Sequence, residues 1–97
     1  MTDTEKQAYE QKMDARVEKW DAQMQKLKAR MKEASADAKA EMARELDALE
    51  ARSDAVREKL GDLRDSSGDA WRDVKAGLEK SWHSLEDALK EAKSRFD

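Results

Sequence analysis

Large apolar side chains recur along this chain at alternating steps of four and three residues, and charged residues fill most of the space between them. The first run is Met13, Val17, Trp20, Met24, Leu27 and Met31. That spacing returns to the same face of an α-helix every two turns. It defines a heptad seam with Val17, Met24 and Met31 at a and Met13, Trp20 and Leu27 at d. A second run, Met42, Leu46, Leu49, Ser53, Val56, Leu60 and Leu63, repeats it. Between the two the stripe passes through Ala34 and Ala38. The eleven-residue step from Met31 to Met42 keeps it on one face while locally unwinding the supercoil. Ala34, Ala36, Ala38, Ala40 and Ala43 favour helix, and no glycine or proline interrupts them. The pattern therefore predicts one helix over about 4–65, roughly 90 Å long at ~1.5 Å per residue.

The clear punctuation is Asp65-Ser66-Ser67-Gly68-Asp69. Gly68 permits a left-handed backbone, and Ser67 or Asp69 is suited to cap the next helix, so a turn is expected at 66–69. A third run follows on helical spacing: Trp71, Val74, Leu78, Trp82, Leu85, Leu89, Ala92 and Phe96. It predicts a helix over about 70–96. Folding the chain at Gly68 sets Leu63 opposite Trp71, Leu60 opposite Val74, Val56 opposite Leu78 and Leu49 opposite Leu85. The first run matches the second in the same antiparallel sense, with Leu27 opposite Leu46, Met24 opposite Leu49 and Val17 opposite Val56. Trp20, Ser53 and Trp82 then fall in one layer, where the small serine leaves room for two indoles.

The expected fold is all-α, a single coiled-coil domain over 1–97 in antiparallel three-helix layers. Two topologies share these contacts. If 34–37 stays helical, two chains exchange N-terminal arms in an antiparallel homodimer, which the alanines favour. If the segment turns, one chain closes as a three-helix bundle. In the expected register the flanks give Asp14/Arg57 and Arg30/Glu45 as opposite charges but Arg16/Lys59 and Asp21/Glu50 as like charges, so electrostatics does not choose.

Composition sharpens this picture mainly by exclusion. Charged residues make up 44% of the chain against 38% apolar, a balance that would suit disorder were the apolar positions not periodic. Proline and cysteine are absent, which removes disulfides, thiolate metal sites and cysteine nucleophiles. No apolar run approaches a signal core or a membrane span, so a soluble, cytoplasmic protein is expected. The net charge of −3 gives no general attraction to nucleic acid or anionic lipid.

Candidate chemistry is sparse. His83 is the single histidine, which leaves no partner imidazole for a metal site or relay, and it reads as a solvated neighbour of Trp82. Met13, Met24, Met31 and Met42 have thioethers that suit Cu(I), but their spacing is that of the seam, where methionine fills irregular cores. Lys26, Lys28, Arg30 and Lys32 form a basic flank, offset by the acid-rich stretch from Glu33 to Asp65. The serines lack any activating context and read as caps and surface. Acids at Glu33, Asp37, Glu41 and Glu45, and at Glu50, Asp54, Glu58 and Asp62, run in i,i+4 columns. Such columns are mildly destabilising alone and suit a basic partner surface. No catalytic residue, cofactor or metal ligand is expected. The sites are the seam itself.

Ser67-Gly68-Asp69-Ala70-Trp71, then Lys75-Ala76-Gly77-Leu78-Glu79, Trp82, Leu85 and the run Ala88 to Phe96 resemble the C-terminal pattern of a group of small, largely uncharacterised bacterial coiled-coil proteins, some labelled stress-response proteins. The resemblance implies a bacterial, non-enzymatic protein and carries over no catalytic residue. The expected function is a coiled-coil interaction or scaffold protein, which the resemblance associates with stress, acting through self-association or by docking partner helices. The alternative is an amphipathic, phasin-like protein whose Trp71 to Phe96 helix lies on a lipid or granule surface.

Overall fold

The computed structural model describes residues 2–96, with side chains from 4 to 95. Three helices pack against one another, α1 (Thr2–Glu33), α2 (Ala36–Asp65) and α3 (Trp71–Phe96), in a body measuring 53 × 18 × 17 Å. The described residues include no strand.

The expected single helix over 4–65 is instead two helices. Ala34 bends, Ser35 is extended at φ −64° and ψ 163°, and its hydroxyl accepts a hydrogen bond from the Ala38 amide at 3.4 Å. Serine competes for backbone donors in this way, so it caps a helix as readily as it continues one. The adjoining seam positions are Ala34 and Ala38, both only half-buried, so little burial rewards continuity there. Folding back instead places Met42, Leu46 and Leu49 in a core with Met24 and Leu27 of the same chain. Asp37 in the first turn of α2, and Arg30 and Lys32 in the last turn of α1, complement the two helix dipoles at the break.

The second turn lies where the sequence predicts it. The Ser66 amide donates to the Leu63 carbonyl at 3.2 Å, Gly68 adopts φ +61°, and the Ala70 amide donates to the Ser67 carbonyl at 3.2 Å. Lys6 of α1 reaches across to this end. Its ammonium donates to the carbonyls of Arg64 at 2.9 Å and Ser66 at 2.6 Å, which α2 leaves without helical partners.

The core is the seam. Met13, Trp20, Met24, Leu27, Met42, Leu46, Leu49, Ser53, Val56, Leu60, Leu63, Trp71, Leu78, Trp82 and Leu85 are buried, and Val17, Met31, Val74 and Leu89 are half-buried. Phe96 has its side chain outside the described residues. Tyr9 and Ala92 join the buried set. Trp20 and Ser53 line one cleft and Trp20 and Trp82 another, so the three residues stand around one level of the bundle.

Ion pairs fix the α1–α2 flank one heptad away from the expected register. Asp14 pairs with Arg64, Asp21 with Arg57 and Lys28 with Glu50. Positions 14, 21 and 28 climb α1 by sevens while 64, 57 and 50 descend α2 by sevens, and every contact joins opposite signs. The pairings Asp14/Arg57 and Asp21/Glu50 assumed that residues at one axial level meet. Side chains lean toward the N-terminus of their own helix. In an antiparallel pair they therefore meet residues further along both chains, and the like-charge contact disappears.

Candidate functional site

The described residues hold no group of three or more His, Asp or Glu side chains arranged to bind a metal ion. The most connected polar cluster lies between α1 and α3. Tyr9 and Arg16 are seven residues apart on the α1 face turned toward α3. The Tyr9 hydroxyl donates to Glu79 Oε1 at 3.0 Å, while Arg16 Nη1 donates to Oε1 at 3.1 Å and to Oε2 at 3.0 Å. The Arg16 guanidinium also lies 5.5 Å from the Trp82 ring centre. Lys75 stands 5.0 Å from the Tyr9 ring centre and 5.8 Å from that of Trp71, and the Tyr9 and Trp71 rings are tilted at 36° with centres 6.4 Å apart. Trp71 Nε1 is buried with no acceptor among the described residues.

Burial and the neighbouring Glu79 carboxylate push the Tyr9 phenol well above its ordinary range. Burial alone would raise Glu79, but hydrogen bonds from Arg16 and Tyr9, with the charges of Arg16 and Lys12, outweigh it and hold the carboxyl below the usual range. Both groups are thus moved away from the values that proton transfer at neutral pH requires. The arrangement is chemically saturated, with the acid gripped by two donors and the phenol proton committed, so it acts as a clamp. His83 is exposed and stands 3.9 Å from Glu79 and 3.5 Å from Glu86.

Below the clamp, toward the α1–α2 turn, α1 and α3 part. A cleft of about 350 Å³ is lined by Arg16, Lys19, Trp20, Trp82, Glu86 and Lys93, among others. It leads into a second of about 550 Å³, lined by Gln23, Lys26, Leu27, Ala29, Arg30 and Lys93. Beyond Arg30 a third cleft, of about 490 Å³, opens at the turn beside Ala34, Ala38 and Met42. Half-buried Leu89 adjoins this trough. Its α1 bank carries Lys19, Lys26 and Arg30 without an intervening acid on that face, so two of the four residues of the basic flank marked in the sequence, Lys26 and Arg30, line a groove. Lys28 turns the other way, to Glu50. The acid columns are partly spent inside the bundle, with Glu45 paired to Arg95 and Glu50 to Lys28, whereas Glu58 and Asp62 are exposed on α2.

The clamp was not legible from the seam alone. Tyr9 lies four residues before Met13, a signal that extends the stripe, but the polar surroundings from Met1 to Glu10 mask it. Arg16 and Glu79 look like ordinary flank charges until α1 and α3 are set side by side. No protein-family model, curated protein or solved structure matches the chain. No described helix is long and apolar enough to cross a membrane.

Proposed function

We propose that the chain is a non-enzymatic interaction or scaffold protein that works through self-association or by docking a partner's helix. The observation that carries this reading is the contrast between the two halves of the α1–α3 contact. One half is closed by the Tyr9–Arg16–Glu79 clamp, and the other is left as an open trough with a basic α1 bank. Helices that are clamped over one half and part over the other present a groove for another helix. The saturated clamp, with its proton affinities moved further from the neutral range, supports a structural use of its polar groups.

Self-association by arm exchange follows from the hinge. Ala34 and Ser35 alone separate α1 from α2, and the side-chain cap at the break is one hydrogen bond of 3.4 Å beside the backbone bonds from Ala34 to Met31 and from Lys39 to Ser35. If this segment becomes helical, α1 leaves its own chain and makes the same contacts on a second, giving an antiparallel homodimer at little cost in local contacts. The reading is of a cytoplasmic protein, with stress association resting on the resemblance of its third helix. A lipid-surface role would require the bundle to open, because Trp71 and Trp82 are 3% and 8% exposed.

Sedimentation across a wide concentration range, together with photo-cross-linking from position 23 or 51 in cells, tests the proposal. We expect exchange between 11.1 kDa and larger species, and discrete cross-linked adducts. A chain that stays at 11.1 kDa throughout and gives no discrete adduct would overturn it.

A further inference from the structure

We propose that the trough between α1 and α3 receives the outer face of α2 from a second copy of this chain, so that bundles join side by side in an open series. This rests on the interaction reading above and names its partner and its surface.

Charges are left over after the bundle has closed. The α1–α2 flank uses Asp14, Asp21 and Lys28 on one side and Arg64, Arg57 and Glu50 on the other. Among the described residues Lys19, Lys26 and Lys93 make no ion pair, and all three line the trough. Among the described residues Asp47, Glu58 and Asp62 likewise make none, and all are exposed on α2. These three cations and three acids thus lie on different surfaces of the same molecule.

Their spacing and shape agree. Lys19 and Lys26 are seven residues apart, a step of roughly 10.5 Å along a helix, and the same step separates Asp47 from Asp54 on α2, where Asp54 also lies 3.7 Å from Arg57, and Glu58 and Asp62 continue the face at steps of four. Between Asp47 and Asp54 α2 exposes only Ala48 and Ala51 as uncharged side chains, with Ala55 just beyond. A helix face of alanines edged by acids lets another pair of helices approach closely, near the lower end of the 8–10 Å axial range. The trough offers a matching section, with Leu89 beside it and cations along its α1 bank.

Geometry then fixes the kind of assembly. In a bundle of three helices the gap between α1 and α3 lies on the side opposite α2. The two complementary surfaces therefore point in opposite directions, and one copy cannot satisfy both with the same neighbour. Such a contact is heterologous, and unless a rotation closes it into a ring it propagates. Its small area and exposed charges make each joint weak and strongly dependent on ionic strength. Arm exchange predicts the reverse, a species that stops at two chains and is indifferent to salt.

The test uses the full chain and two charge-reversed variants, K19E/K26E in the trough and E58K/D62K on α2. Both sets are exposed, and circular dichroism establishes that each variant remains helical. In sedimentation velocity at about 0.02 M salt, the unaltered chain is expected to gain mass progressively with concentration, past two chains. Raising salt to about 0.5 M should weaken association on the order of tenfold or more. Each variant alone should lose this behaviour, and an equimolar mixture should regain it, because an acidic trough then meets a basic α2. A low-salt mass fixed at 11.1 kDa would overturn the proposal. So would a salt-insensitive mass that stops at two chains, although that result would leave arm exchange standing. Association unchanged by either reversal, or a mixture that fails to recover, would also overturn it.

Discussion

Tyr9 is the chain's single tyrosine, and at this residue burial, hydrogen bonding and proton affinity combine. Its phenol is raised, so the stabilisation it provides is fully present below the ordinary tyrosine value of about 10 and is lost as pH rises beyond it. Glu79 is lowered, so its contribution is fully present above the ordinary carboxyl value of about 4.3 and is lost as pH falls through and below it. Phenolate absorbance reports Tyr9 without interference from another tyrosine. It should therefore appear well above pH 10, together with unfolding, whereas a simple titration near pH 10 with the fold intact would show that the clamp does not exist. Glu79→Gln should cost about 1–3 kcal/mol, because it removes a charged acceptor from a partly buried pair of donors, and should flatten the acid limb of the stability profile. The glycines make a separate prediction. Gly61 has nothing within 4 Å of a would-be Cβ, and Gly68 sits at φ +61°. In thermal denaturation Gly61→Ala should stabilise by about 0.5–1 kcal/mol, and Gly68→Ala should destabilise by about 1 kcal/mol.

At the scale of the helices, the seam, the turn at Gly68 and the third helix could be read directly, since four-three periodicity and a left-handed glycine are local signals. The break at Ser35 could not. Its residues favour helix, and the turn forms because one serine accepts the Ala38 amide while the seam gains a partner from the same chain. Tertiary burial decided between two locally acceptable conformations. The α1–α2 pairs of Asp14 and Asp21 differ from the expected ones for a geometric reason, namely the lean of side chains along each helix, which moves them by a heptad, whereas Arg16 and Glu45 pair with α3 instead. The clamp needed residues about seventy apart in sequence, and no local pattern announces such a contact. A hinge this lightly held should respond to small changes. Ser35→Ala removes the cap, which should cost the closed form about 0.5–2 kcal/mol. It should also raise the fraction sedimenting at two chains, whereas a flexible Gly-Ser insertion after Ala34 should lower that fraction. Identical distributions for both variants would show that the break does not govern association.

For the molecule as a whole, one level holds the account together, because Trp20, Ser53 and Trp82 come from three helices and stand around it. Trp20 is 4% exposed and Ser53 2%. Trp20→Ala should cost about 3–5 kcal/mol in denaturant titration. Ser53→Leu should cost about 1–3 kcal/mol through overpacking, whereas losses below about 0.5 kcal/mol for both would place this level outside the core. Three stretches of one sequence share these layers, in one chain or across an exchanged pair. Spin labels at Lys19, Arg52 and His83, all exposed, measure it most directly by pulsed electron resonance. The account predicts that all three pairs lie within about 25 Å, in keeping with the 18 × 17 Å cross-section, either in spin-diluted samples or in undiluted ones where arms have exchanged. A separation near 50 Å between positions 19 and 52, as a continuous helix at ~1.5 Å per residue would give, with no short distance between molecules, would contradict it.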